Sequence, residues 1–234
     1  MKIAILSDIH ANSDALTAVL ADAKALGVSN LIIAGDFVGY YYNIQEVMAL
    51  LSSWDLVAIS GNHERLLLDW HHGENHTKIQ NKYGSGIKIA NEFLTNKQIQ
   101  WLVDLPKSRE FSIDNKTVLL CHGTPWDKDE YLYPDCKQDK KDKIFSIKKD
   151  LVVYGHTHYP VIHSDNNQLI VNPGSVGQTR DSKLGACWAL WDTTKHEISL
   201  ERANYNADNL IKQCQQNDPK LPYLQKILLR NNEN

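Results

Sequence analysis

Long apolar runs are missing from this 234-residue sequence. None approaches the roughly 20 residues that a membrane-spanning helix requires, and Met1–Leu6 is interrupted too soon by Ser7-Asp8 to read as a signal peptide. Cysteine is sparse: Cys121, Cys136, Cys187 and Cys214 form no CxxC pair. Cys121 and Cys187 sit in apolar runs and read as small buried hydrophobes, which makes a reducing, cytoplasmic setting the expectation. Charge of one sign is also lacking. With 25 Lys+Arg against 28 Asp+Glu, the net charge of −3 argues against a general nucleic-acid or membrane-surface binder. No internal repeat and no linker rich in proline, glycine or serine divides the chain, so one domain is expected across residues 1–234. A GxSxG elbow and a P-loop are both absent, which leaves no motif for a serine nucleophile or a nucleotide-phosphate cradle.

What is present is a core and a pattern. A hydrophobic content of 42% is enough to bury a sizeable interior. Lys2–Leu6 is a short β-rich run, with Ser13 the expected N-cap of the helix that follows. In that helix Leu16, Val19, Leu20, Ala23 and Leu26 recur at helical spacing before Gly27. Asn30–Ala34 and Leu56–Ile59 are further strands, with helical Ile44–Leu51 between them. A β-α-β-α-β start predicts a parallel sheet that collects its loops at one edge, where open α/β sheets hold ligands. Residues 64–105 are more helical, clearest over Asn96–Val103. Strands are then expected at Arg109–Ile113, Thr117–Cys121, Leu151–Tyr154, Val161–Ser164, Gln168–Val171, Cys187–Asp192 and Glu197–Arg202. A helix over Asp208–Gln216 and a fraying tail over Leu228–Asn234 close the chain.

Five short motifs fall just after strand-like runs: Asp8-Ile9-His10, Gly35-Asp36, Gly61-Asn62-His63, Cys121-His122-Gly123 and Gly155-His156-Thr157-His158. Their residue types suit a dinuclear hydrolytic site, which needs hard oxygen ligands, imidazole nitrogens and one shared group. Asp8 and His10 leave one strand together and can reach the same ion. Asp36 offers a carboxylate able to bridge two cations about 3.5 Å apart. Asn62 provides a neutral oxygen, His122 and His156 provide imidazoles from later strands, and His158 can turn back to the first ion. His63 need not bind metal: beside the site it can protonate a leaving alkoxide or stabilise the transferring phosphoryl group.

Taken together, the set D-x-H, G-D, G-N-H-E, H-G and G-H-T-H resembles the calcineurin-like metallophosphoesterase superfamily over roughly residues 1–180. Asn12 and Asn172-Pro173-Gly174-Ser175 are similar to its small bacterial phosphodiesterase-like members. The resemblance implies an α/β fold, a four-layer α/β/β/α sandwich of two mixed sheets flanked by helices. It implies Asp8, His10, Asp36 and His158 on one divalent ion, and Asp36, Asn62, His122 and His156 on the other, with His63 catalytic. Mn²⁺ is the expected metal, with Fe, Zn, Ni, Co or Mg as alternatives. The expected activity is phosphodiester hydrolysis of a small phosphorylated substrate, a nucleotide among the options. A phosphomonoesterase, a nucleotide pyrophosphohydrolase and a non-catalytic protein-binding scaffold are the rivals. Serine/threonine protein phosphatases and symmetrical dinucleoside tetraphosphatases carry an arginine after the second motif. This chain reads Gly35-Asp36-Phe37-Val38-Gly39-Tyr40-Tyr41 there, which argues against both activities.

Outside the motifs, Arg65 and Arg180 are the candidates for gripping a phosphate oxygen, a surface ion pair being the alternative for each. Tyr40-Tyr41-Tyr42 is read as packing over the site rim in preference to stacking on a base. The run His71-His72-Gly73-Glu74-Asn75-His76 is read as a solvated loop in preference to a third metal site. Lysine-rich 137–149 is ordinarily a solvated segment, and a lid attracting anionic substrates is the alternative. Asn172 and Ser175 are read as shaping a loop.

Overall fold

Along the first strand, alternate side chains belong to two different cores. Ile3 and Ile5 pack with one apolar cluster, Ala4 and Leu6 with another. The same period of two separates Ile32 and Ala34 from Leu31 and Ile33 in the second strand, and Val118 and Leu120 from Leu119 and Cys121 in the fifth. Strands buried on both faces require a layer on each side, and four layers follow from this alternation.

The computed structural model describes residues 1–229. In chain order the elements begin β1 (Lys2–Leu6), α1 (Ser13–Ala25), β2 (Asn30–Ile33), α2 (Ile44–Leu51), β3 (Asp55–Ala58), α3 (Asn62–His71), α4 (His76–Tyr83), α5 (Gly86–Phe93) and α6 (Asn96–Asp104). They continue β4 (Ser108–Ile113), β5 (Lys116–Cys121), α7 (Gln138–Phe145), β6 (Leu151–Val153), β7 (Val161–Asp165), β8 (Gln168–Asn172), β9 (Ala186–Asp192), β10 (Glu197–Ala203), α8 (Asp208–Asn217) and α9 (Tyr223–Leu229). One sheet runs β10-β9-β1-β2-β3, with β1, β2 and β3 parallel and β9 and β10 antiparallel. The other runs β4-β5-β6-β8-β7, with a parallel centre and antiparallel edges. Among the described residues no helix is long and apolar enough to cross a membrane.

The interior between the sheets holds Ile3, Ile5, Ile32, Val118, Leu120, Leu151, Val153, Val171 and Trp191. Helices α1, α2, α3, α5 and α6 cover the outer face of the first sheet with residues such as Leu16, Val47, Leu67, Ile87 and Leu102. The outer face of the second sheet is covered more thinly, by Leu132 and by Ile144 of α7. The lysine-rich segment is therefore a packed helix on one side: Lys140 pairs with Glu130 at 2.6 Å, and Lys143 lies 4.0 Å over the Trp126 ring.

Local chemistry accounts for the turns. Asp114-Asn115 and Asn166-Asn167 have positive φ at both central residues, the conformation that two-residue hairpins need and that Asn and Asp tolerate. The helix α1 is capped by Asn12 instead of Ser13: its Oδ1 accepts from Ala15 N at 3.1 Å, while Ser13 is already helical. Asn12 wins because its amide also donates to Gly177 O at 2.9 Å, fixing it in a second direction. The histidine-rich run is mostly helix ends: His71 closes α3, and His76 opens α4, stacked on Trp70 at 4.0 Å. The expected frayed tail falls partly on α9, which runs to Leu229; residues 230–234 lie outside the described residues. All four cysteines are free, with Cys121 and Cys187 buried as expected.

Ile5 is fully buried between the sheets. Its replacement by alanine should cost about 2–4 kcal/mol through lost burial and an unfilled cavity, read as a lowered urea midpoint at unchanged slope. A loss below about 1 kcal/mol would mean that the two sheets close over the gap.

Candidate metal centre

The strand ladders continue past the strands themselves and set the motifs side by side. Beyond the Leu6–Ile33 pairing, Ala34 N donates to Leu6 O, Asp8 N to Gly35 O, His10 N to Asp36 O and Ala11 N to Phe37 O, all at 2.8–3.1 Å. In the second sheet Gly155 N donates to His122 O at 2.8 Å, which places the fourth and fifth motifs together. The two sheet edges are then sewn to each other: His156 N donates to Asp8 Oδ2 at 3.1 Å, and Gly177 N to Asp8 O at 3.0 Å. Gly155 sits where a Cβ would overlap Ser7 Oγ, so this approach requires glycine.

Backbone conformation at the site is unusual. Asp8, His10, Asp36, His156 and His158 have φ of 54°, 50°, 57°, 67° and 63°, all in the left-handed region. Each such non-glycine residue costs on the order of 1–3 kcal/mol and persists only where its surroundings over-determine it. The strain turns the side chains away from the strand direction and into one space between the sheets.

That space is buried and dense with acceptors. Asp8, His10, Asp36, His63, His122, His156 and His158 are all buried, and Asn62 is half-buried at the start of α3. Four histidines have one ring nitrogen against a backbone carbonyl: His10 Nδ1 on Val38 at 3.0 Å, His122 Nδ1 on Ala34 at 2.7 Å, His158 Nδ1 on Gln178 at 2.6 Å, and His156 Nε2 on Asp129 at 3.3 Å. A carbonyl can only accept, so each of these nitrogens carries a proton, and the other nitrogen is the one that presents a lone pair whenever the ring is neutral. His10 Nε2 and His158 Nε2 then face each other at 3.2 Å, and His158 Nε2 stands 3.2 Å from Asp8 Oδ1. Among the described residues Asp8 Oδ1 has no hydrogen-bond donor, whereas Oδ2 takes Ser7 Oγ–H at 2.6 Å. Three buried acceptors aimed at one point are mutually repulsive and are reconciled by a cation.

Asp36 lies between this group and a second one. Its Oδ1 accepts from His63 N at 2.8 Å; its Oδ2 is 3.3 Å from His122 Nε2 and 3.9 Å from His10 Nε2. His122 Nε2 also lies 3.0 Å from Asn62 Oδ1. Three sets of potential ligand atoms fall within 4.8 Å of one another: Asp8, His10 and His158; His10, Asp36 and His63; and Asp36, His122 and His156. The donor set of carboxylates, imidazoles and an amide oxygen fits borderline divalent ions.

Burial disfavours charge on His122, but the Asp36 carboxylate beside it prevails and the imidazolium is held up to about 10. Asp36 itself stays far below the usual carboxylate range: burial would raise it, and His122 and His63 override that. His158 is pushed down to about 4 by burial, against the pull of Asp8, so it keeps its inward lone pair. His63 is likewise held below its usual range by burial, with Asp36 opposing. It packs edge-on to His10 at 4.6 Å and to Tyr83 at 4.9 Å and lies 4.8 Å from Tyr40; its Nδ1 has no hydrogen-bond partner among the described residues.

Several participants were not singled out from the sequence. Glu64 is 1% exposed, and its carboxylate accepts from Gly61 N (2.7 Å), Asp36 N (3.0 Å) and Phe37 N (2.8 Å), fixing the second motif to the third. In sequence it closes the G-N-H-E motif without an assigned role, and as an acid at the N3 position of a helix it is otherwise a cap signal. Tyr131 stacks on His156 at 4.0 Å, and Asp129 accepts from His156 through its carbonyl; neither has a sequence signature. Arg65, half-exposed, is forked onto the Asp129 carboxylate at 3.2 Å. Arg180 donates to Tyr40 Oη at 3.2 Å and pairs with no carboxylate among the described residues. Tyr40, Tyr41 and Tyr42 are buried against α8 and α9, and Tyr40 also meets His10 and His63 at the site. Asn172 bonds Gly155 O and Thr157 Oγ1, and Ser175 donates to Asp8 O, both shaping the loops around the site.

Near neutral pH the raised His122 holds a proton in the metal-free protein, and a cation at that nitrogen must expel it. Calorimetric Mn²⁺ titrations in buffers of different ionisation enthalpy should therefore report proton release on binding. Buffer-independent heats would contradict a cation at His122.

Comparison with known proteins agrees with this geometry. The chain is 32% identical over 222 residues to an uncharacterized protein of Methanocaldococcus jannaschii, covering 87% of this chain and 88% of that one. A hypothetical protein from Pyrococcus horikoshii OT3 shares the fold at a TM-score of 0.81 and 22% identity, covering 97% of both chains. A metallophosphoesterase from Sphaerobacter thermophilus matches at a TM-score of 0.77 and 26% identity, over 99% of this chain and 100% of that one. Residues 1–196 match the model of the calcineurin-like phosphoesterase superfamily domain, and with all five histidines and both aspartates of the motifs converging in one buried centre, the chain belongs to that superfamily.

Proposed function

We propose that this protein is a two-metal phosphodiesterase in which Asp36 is shared by both ions and His63 assists the leaving group. The observation that carries this reading is the position of Asp36 Oδ2 between His122 Nε2 at 3.3 Å and His10 Nε2 at 3.9 Å, one oxygen serving two clusters. Asp8, His10, Asp36 and His158 would hold one ion, and Asp36, Asn62, His122 and His156 the other. Manganese is the first candidate, since sets of this kind accept several first-row ions and availability chooses among them. Such ions supply charge against the phosphoryl oxygens and acidify an attacking water.

The chain's own residues account for the remainder. His63 is surrounded by His10, Tyr40 and Tyr83, which keep bulk water from its ring. An anionic ester drawn alongside favours the imidazolium that burial disfavours, so the ring gains a proton where a departing alkoxide needs one. Arg180, held by Tyr40 and without a carboxylate partner among the described residues, would orient a phosphoryl oxygen. One unmatched guanidinium beside an aromatic wall suits the single charge and second substituent of a diester.

Manganese-loaded protein should hydrolyse bis-p-nitrophenyl phosphate faster than p-nitrophenyl phosphate. The His63→Ala variant should keep its bound metal and lose ~10²–10⁴-fold in kcat. A preference for the monoester would make the protein a phosphatase with the same centre. Loaded metal with no turnover of either ester would favour a binding role.

A further inference from the structure

A cavity of about 240 Å³ opens beside the half of the centre formed by Asn62 and His122, which line it. Arg65, Lys107 and Lys128 line it as well, together with Asp129. The charges there do not balance. Asp129 is shared between Arg65, at 3.2 Å, and Lys128, so one carboxylate faces two cations. Lys107 makes no ion pair among the described residues and adds a further positive charge. The other carboxylate in the wall, Glu64, is buried with both oxygens occupied by the backbone N–H groups of Gly61, Asp36 and Phe37. Leu68 and Val103 supply an apolar side.

Size restricts what enters. Pockets for whole drug-sized ligands run from about 300 to 1,000 Å³, so this one takes part of a substrate. Resting on the phosphodiesterase reading above, we propose that it is a subsite for a second phosphate group, carried on one arm of the diester, with Lys107 as its principal charge partner. A phosphate there faces guanidinium and ammonium donors while its connecting carbons lie on Leu68 and Val103. The Arg65–Asp129 contact is half-exposed and screened by solvent, so a phosphate can draw Arg65 from it. The consequence is selection: a diester with a second phosphate is preferred over the same diester without it.

Two readouts test this. Thymidine 5′-(p-nitrophenyl phosphate) and its 3′-phosphorylated form differ only in the second phosphate. The manganese-loaded protein should favour the phosphorylated form by about tenfold in kcat/KM, mainly through KM. Lys107→Ala should bring that ratio close to one, and Lys107→Arg should restore it. Equal rates in the wild type, or a ratio unchanged in Lys107→Ala, would overturn the subsite. Calorimetric binding of thymidine 3′,5′-bisphosphate against thymidine 5′-monophosphate to the same loaded protein separates the two levels of the argument. If neither ester is cleaved but the bisphosphate binds more tightly in a Lys107-dependent way, the diesterase reading fails and the subsite stands. If the esters are cleaved and the bisphosphate has no advantage, the subsite fails and the diesterase reading stands.

Discussion

Repulsion among buried acceptors is the constraint on which the rest of this structure depends. Asp8 and Asp36 lie in a buried space at the junction of two sheet edges, and the lone pairs of His10 and His158 meet at 3.2 Å beside them. Such a cluster is costly without positive charge. In the metal-free protein the proton on His122 meets part of that need, since the Asp36 carboxylate outweighs burial in holding it. Divalent cations meet it more fully, and the carbonyls of Ala34, Val38, Asp129 and Gln178 already fix the rings in the tautomers that cations require.

The fold supplies the rigidity that such a centre demands. Parallel strands from both sheets end at the same edge, and the backbone bonds beyond them hold five ligand candidates in left-handed conformations they would otherwise leave. Glu64 acts in the same direction from within α3, since its single carboxylate binds the loop carrying Asp36 to the loop carrying Asn62. Strain and a buried acid are thus kept in place by the inter-sheet core. The sheets are joined there by large side chains such as Trp191, Ile3 and Ile5.

Much of this was legible in the chain itself. Near-continuous apolar residues in Lys2–Leu6 and Thr117–Cys121 mark strands buried on both faces, and Asp-x-His or Gly-His-Thr-His after such runs marks ligands at strand ends. Less legible were features made by distant partners. Asn12 and Ser13 are both good caps, and Gly177, 165 residues away, selects Asn12. Asp129 meets Arg65 across 64 positions, which no local pattern records. The lysine-rich segment hides its anchoring residues, Ile144 with Phe145 and Ile147 beside it, among charges, so its docking on the second sheet was invisible to composition. Tyr40 to Tyr42 are buried because α8 and α9 fold back over them, a contact that depends on the far end of the chain.

The central claim is that one carboxylate holds two ions. Crystals soaked in Mn²⁺ and measured at the manganese edge test it most directly. Two anomalous peaks about 3.5–4 Å apart, with the Asp36 carboxylate between them, are the predicted result. A single peak at saturating metal, or two peaks with Asp36 on only one of them, would contradict the account.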